Sequence, residues 1–208
     1  MAIKAHDILR FKSSNDLITT QPKPEWVKEA VELAPFAVVR RAQIDDGRIP
    51  VGIRGKSRNE RFAAFLSECD IIDQIKPEQL TAQKAWKQSI RQHKINAIKA
   101  LDFVDAIFQA YKLSWGPAGS VGFELASGIH SVSETSDLDI VLYAPDFFSI
   151  EKAKKLVHEL SHAPVRIDTQ IETPIGAVSL IEYARDSGSI LLRTANGPSL
   201  VSKPWMQE

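Results

Sequence analysis

Gly119-Ser120 and, further along, Ser136-Asp137-Leu138-Asp139 are residues whose types and spacing suit phosphate chemistry. Side chains two apart on a strand share a face, so Asp137 and Asp139 project together while Leu138 faces away. Ile140, Val141 and Leu142 follow without polar interruption, as in a strand open at one end and buried beyond it. Two carboxylates held side by side raise each other's pKa. A divalent cation relieves that repulsion, and carboxylates together with substrate phosphates are the usual ligands of magnesium. Ser120 is placed to cap a short helix whose first N–H groups face a phosphate. Glu124 falls on the same helix, where a structural role and a substrate contact are equally open. A phosphate cradle followed by metal-binding carboxylates points to phosphoryl or nucleotidyl transfer.

Other candidates lie on both sides of this stretch. Val165 to Ile171 alternates as a strand, with Val165, Ile167 and Ile171 on its apolar face and Arg166, Asp168 and Gln170 on its polar one. If that strand neighbours the first, Asp168 is the natural third carboxylate. Arg40, Arg41, Arg54, Arg58 and Arg61 cluster in sequence, and arginine binds phosphates and carboxylates bidentately. The histidines, His6, His93, His130, His158 and His162, lack metal-ligand spacing and read as structural or surface residues. Neither a Walker-type glycine loop nor a Gly-x-Ser-x-Gly nucleophile elbow is present.

The elements that must position these residues follow from local pattern. His6 to Arg10 and Pro24 to Val27 read as helix starts, the second with its proline near the first turn. Phe36 to Arg40 and Arg48 to Arg54 flank Asp45-Asp46-Gly47 as a hairpin, and Pro50 assigns its second strand to an edge or a bulge. Ser57 with Glu60 fits a capping box opening a helix through Phe62, Ala63, Phe65 and Leu66. A connection is expected between Asp70 and Thr81, where Lys76-Pro77 ends a segment. From Ala82 to Leu113 the apolar spacing is helical with no glycine or proline, giving one long helix or two with a bend as a buried spine. Ser149 caps a helix through Leu160, Ala177 to Ala184 reads as helical, and Ile190 to Arg193 as a short strand or helix end.

With 208 residues, one or two domains can form, and a division into residues 1–80 and 81–208 is expected. Lysine plus arginine equals aspartate plus glutamate, at 26 each, which argues against a generic nucleic-acid partner. Cys69 is the single cysteine, so neither an intrachain disulfide nor a cysteine-based zinc site is expected. No apolar run of membrane-spanning length and no signal-peptide pattern occurs, and a cytoplasmic setting without membrane contact is expected.

Gly119-Ser120 with Asp137-Leu138-Asp139 resembles the polymerase-β-like nucleotidyltransferase superfamily. The fuller run Trp115 to Leu125, with Ser136 to Asp139, resembles the malonate decarboxylase holo-acyl-carrier-protein synthases, or phosphoribosyl-dephospho-CoA transferases. The likeness extends through Val38 to Ala42, Pro50 to Gly55, Asp168 to Pro174 and Leu191 to Ala195, covering most of the chain. It implies an α+β fold: a polymerase-β-like nucleotidyltransferase sheet flanked by helices, with a smaller N-terminal α+β domain for recognition. It implies transfer of a phosphoribosyl-dephospho-CoA group from triphosphoribosyl-dephospho-CoA to a serine of the apo acyl carrier subunit of malonate decarboxylase, with loss of pyrophosphate. Asp137, Asp139 and Asp168 would be catalytic and hold Mg2+, or Mn2+ in its place. Gly119 and Ser120 would bind the β- and γ-phosphates, Glu124 falls within the substrate-binding stretch, and Arg54, Arg58 and Arg61 would contact the dephospho-CoA end or an acidic carrier. A second enzymatic reading moves AMP from ATP to a protein or small molecule, and a third keeps the fold as a binding module.

Overall fold

A computed structural model describes residues 3–44, 46–57 and 59–206. Its α+β architecture is built on two sheets, one of five strands and one of six. The first, from the N-terminal part, comprises β1 (Ile8–Arg10), β2 (Phe36–Val39), β3 (Arg48–Arg54), β4 (Arg61–Ser67) and β5 (Asp73–Ile75), in the order β4-β3-β2-β1-β5. All its pairings are antiparallel. Helix α1 (Glu25–Leu33) turns Val27 and Val31 into a core shared with Leu9, Val51 and Leu66.

The expected hairpin of β2 and β3 is present, with Val39 opposite Val51; Asp45 of its turn lies outside the described residues. Its proline is not at an edge, because β3 lies between β2 and β4. Pro50 instead sits where the β2 ladder ends: its carbonyl accepts from the Arg40 N–H, and the reciprocal bond is one proline cannot donate. Two expected helices are strands. His6 to Arg10 contributes β1, which pairs on both sides and buries Ile8 and Leu9. Ser57 and Glu60 do make capping-type bonds, but these close the turn from β3 into β4. The Ser57 N–H donates to Glu60 Oε2 at 2.8 Å and the Glu60 N–H to the Ser57 carbonyl at 3.1 Å. Phe62, Ala64 and Leu66 are then buried in alternation, the period of a strand.

The second sheet comprises β6 (Ser114–Pro117), β7 (Leu138–Tyr143), β8 (Ile167–Thr173), β9 (Gly176–Ser179), β10 (Ile190–Thr194) and β11 (Gly197–Val201), in the order β11-β10-β9-β8-β7-β6. Strands β7 and β8 are parallel, and α5 (Ile150–Leu160) supplies the crossover that parallel neighbours require. Ser149 caps α5 as expected, its hydroxyl accepting from the Lys152 N–H. The expected spine from Ala82 to Leu113 is divided. Helix α2 (Pro77–Ala82) starts at the proline, a short 3-10 turn spans Ala85–Gln88, and α3 (Asn96–Ala110) follows. The left-handed backbone of Lys84 (φ 47°) and the turns between them break the helix, leaving Ile90 84% exposed. Only α3 is the buried spine: Ile98, Leu101, Val104 and Phe108 pack with Trp86, Trp115, Ile140 and Leu142. The stretch expected to be helical from Ala177 is β9 followed by α6 (Leu180–Ala184), with Ser179 as the cap. No described helix is long and apolar enough to cross a membrane.

Candidate active site

Asp139 is on β7, its parallel register partner on β8 is Asp168, and Asp137 immediately precedes β7. The neighbouring-strand condition for a third carboxylate is thus met. Leu138 and Ile140, pointing the other way, are buried and anchor the strand. The fold brings Asp168 and Asp137 close enough to act on Asp139. Burial, then the charge of Asp168, then that of Asp137 push the Asp139 carboxyl above the usual carboxylate range, while Arg54 and Arg61 pull it down.

Those arginines come from the other sheet. Arg54 ends β3, Arg61 opens β4, and they are cross-strand partners at the turn end of that hairpin. A cavity of about 460 Å3 lies between the sheets, lined by Arg40, Arg54, Arg61, Gly119, Phe123 and Asp139. One sheet therefore supplies cations and the other the Asp139 carboxylate to a common space. Arg58 lies outside the described residues.

Gly119 begins α4 (Gly119–Ser127), which follows β6 directly. The Ala118 N–H donates to the Asp139 carbonyl at 2.9 Å, fixing the turn against β7. Gly119 has φ +55°, and a Cβ there would stand 1.8 Å from Asp139 Oδ2, so the backbone approaches the carboxylate as only glycine permits. Ser120 is not the cap: Ala118 occupies that position, and Ser120 is buried in the first turn, its carbonyl accepting from Ser131 Oγ at 2.9 Å.

Glu124 is committed elsewhere. Both its oxygens accept from Arg91 Nη1 at 2.8 Å, and Oε2 also accepts from the N–H groups of Ser131 and Val132 at 2.8 and 2.9 Å. With the carboxylate buried, these bonds join α4 to two loops, and the structural reading of Glu124 is the one the geometry favours. Sequence reasoning missed Arg91 as its partner and Phe123 as a wall of the cavity; Arg40 had only its membership of the arginine cluster to mark it.

Among the described residues, no three His, Cys, Asp or Glu side chains form a ready-made metal-ligand cluster. The donor set nevertheless fits a hard cation. Asp139 is disfavoured as an isolated anion, its neighbours are oxygen donors, and magnesium is commonly held by one or two carboxylates completed by substrate phosphates.

Two family profiles match the chain. The phosphoribosyl-dephospho-CoA transferase MdcG N-terminal domain matches residues 4–77, and the corresponding C-terminal domain matches residues 79–204. A phosphoribosyl-dephospho-CoA transferase of Pseudomonas putida (strain GB-1) is 40% identical over 184 residues, 88% of this chain and 86% of that one. Another from Pseudomonas putida is 39% identical over 206 residues, 98% and 96% of the two chains. One from Azotobacter vinelandii is 35% identical over 206 residues, 97% and 94%. No solved structure matches the chain.

Proposed function

The chain belongs to the phosphoribosyl-dephospho-CoA transferase family, and on that premise we propose that its acceptor is a serine of the apo acyl carrier subunit of malonate decarboxylase. The donor is triphosphoribosyl-dephospho-CoA and the second product pyrophosphate, in a polymerase-β-like nucleotidyltransferase site. The observation that carries this reading is the convergence on Asp139: Asp168 and Asp137 beside it, Gly119 against it, and Arg54 and Arg61 acting on it from the other sheet.

The serine oxygen attacks the α-phosphorus of the triphosphate, forming the new P–O bond as the bond to the β-phosphate breaks. The bonding pair leaves with pyrophosphate. The serine proton passes to the Asp168 carboxylate, and the carrier retains its prosthetic group through a phosphodiester. Arg54 and Arg61 neutralise phosphate oxygens, being fixed by strand pairing rather than gathered at the moment of reaction. Gly119 and the first turn of α4 admit the β- and γ-phosphates close to backbone N–H groups. Asp137, Asp139 and Asp168 are the residues that would hold magnesium, or manganese, which when bound neutralises the triphosphate and the leaving group. An exposed free cysteine, Cys69, fits a cytoplasmic setting.

The test is the intact mass of the apo carrier after incubation with this protein, magnesium and the precursor, beside a sample given ATP. A mass gain equal to the prosthetic group is expected from the precursor alone. Asp139→Asn should slow that gain by at least about 100-fold while its circular dichroism stays native. AMP addition from ATP would instead establish the second enzymatic reading, and turnover by Asp139→Asn at the parental rate would remove the carboxylates from the chemistry.

A further inference from the structure

A second cavity, of about 490 Å3, adjoins the one around Asp139, and the two share Arg54 and Phe123 as common walls. Its volume falls in the range of small-molecule sites, about 300–1,000 Å3. Trp26, Ala30 and Leu33 of α1 line one side, and Phe123 and Ile129 belong to the lining as well. The spacing 26, 30, 33 is a helix face beside that of Val27 and Val31: Trp26 and Ala30, partly buried, pack against the same core, and Leu33 extends the stripe outward. Leu33 on that stripe is 58% exposed. The indole of Trp26 also lies against Gly55, where an added Cβ would be 2.8 Å from a ring carbon, so the ring is braced by backbone. The polar side chains of the lining are Glu29, Arg54, Lys56, Glu60, His130 and Ser131.

We propose that this second cavity binds the adenine of the dephospho-CoA moiety, with Trp26 as its stacking face. This rests on the reading that the neighbouring cavity takes the triphosphate. Along the precursor, the triphosphate is joined through its ribose and the nucleoside ribose to adenine, the one flat, uncharged aromatic group. The pantetheine branch departs through a further diphosphate and is a flexible chain of amides. A braced aromatic wall with apolar flanks suits a purine face, not that chain, and the polar side chains of the lining suit the ring nitrogens and amino group at its edge. Arg54, common to both cavities, is placed where the riboses and their phosphates pass between them.

The experiment titrates dephospho-CoA, and separately 4'-phosphopantetheine, into the parental protein, Trp26→Ala, Trp26→Phe and Leu33→Asp by calorimetry. The KM and kcat for the precursor are then measured on the same proteins. Trp26→Ala should weaken dephospho-CoA about tenfold, and Trp26→Phe should recover it to within about threefold. Binding of 4'-phosphopantetheine should not change. KM should rise in parallel with the loss of affinity while kcat moves less than about twofold. Leu33→Asp, at an exposed position that spares the fold, should weaken dephospho-CoA in the same direction. Unchanged dephospho-CoA affinity in Trp26→Ala and Leu33→Asp, or an equal loss for 4'-phosphopantetheine, overturns the assignment. Dephospho-CoA binding that depends on Trp26 in a protein unable to modify the carrier leaves the adenine site standing and removes the transfer reading. Normal transfer with a KM indifferent to Trp26 does the reverse.

Discussion

Gly119 lies against Asp139, and the closeness of that approach is set by the absence of a side chain. The turn that brings α4 to the mouth of β7 has φ +55° at Gly119, and its missing Cβ leaves room for the Asp139 carboxylate. In Gly119→Ala the methyl group and Oδ2 cannot share that space, so the carboxylate must rotate away from Asp168 and Asp137. A left-handed alanine adds about 1 kcal/mol of strain. The variant should fold with a Tm lowered by a few degrees yet transfer the prosthetic group at least about 100-fold more slowly. Near-parental transfer would show that Asp139 can act from another position. The adjacency of Asp139 and Asp168 was readable in the sequence, because two-residue alternation fixes both to strand faces, whereas Asp137 falls just before β7, where alternation does not reach. Ser120 was not readable as a buried first-turn residue: capping depends on where the helix begins, and it begins two residues earlier than a cap at Ser120 requires.

At the scale of elements, α4 carries Gly119 and is held by the Arg91–Glu124 pair. Arg91 comes from the connection before α3 and binds both Glu124 oxygens as well as the Val132 carbonyl. The side chains are 18% and 5% exposed, so removing one leaves the other as an uncompensated buried charge. Glu124→Ala should cost about 3–5 kcal/mol in urea denaturation, and the double change Glu124→Leu, Arg91→Met should recover much of it. Additive losses would mean that the two residues stabilise the fold independently. Nothing local announces this pair, since its members lie 33 positions apart. The opposite problem arises at Ser57 and Glu60, where a local signal was plain and its meaning ambiguous. The same reciprocal bonds satisfy a helix start or a hairpin turn, and the decision rests with the residues that follow. Alternating burial of Phe62, Ala64 and Leu66 decides for β4, and with it places Arg61 opposite Arg54. Elements defined by long runs, such as the core of α3, and by alternation with turn residues, such as β2 and β3, were legible. β1 is only three residues long and owes its state to two neighbouring strands that sequence order does not reveal.

In the whole molecule the site exists only because residues of the two sheets meet around one cavity, and part of the joint between the sheets is polar. Arg41, just beyond β2, pairs with Glu172 on β8, and His6, just before β1, lies against both. Glu172 is 3.6 Å from His6 and would favour its protonated form, but burial and the guanidinium of Arg41 dominate and hold the imidazole down at about 4, against 6.5 when free. A hydrogen bond with Gln170 opposes this without reversing it. His6 is therefore neutral in the fold across the range in which the unfolded chain acquires a proton. Between pH 6.5 and about 4 the unfolded state binds more protons, so stability falls as the solution is acidified through that window. Glu172, raised by burial despite Arg41, acts with the opposite sign: its contribution weakens as pH rises above the usual carboxylate range, and this offsets part of the effect at the acid end. His6→Asn isolates the imidazole, asparagine being tolerant of the left-handed backbone at that position (φ 75°). In urea denaturation at pH 7 and pH 5, the parental protein should lose about 1–2 kcal/mol more between the two than His6→Asn does. Equal losses would place a charged imidazole within the joint. It would then be an ion pair, with Glu172 shared between two cations across the seam that aligns Arg54 and Arg61 with the carboxylates.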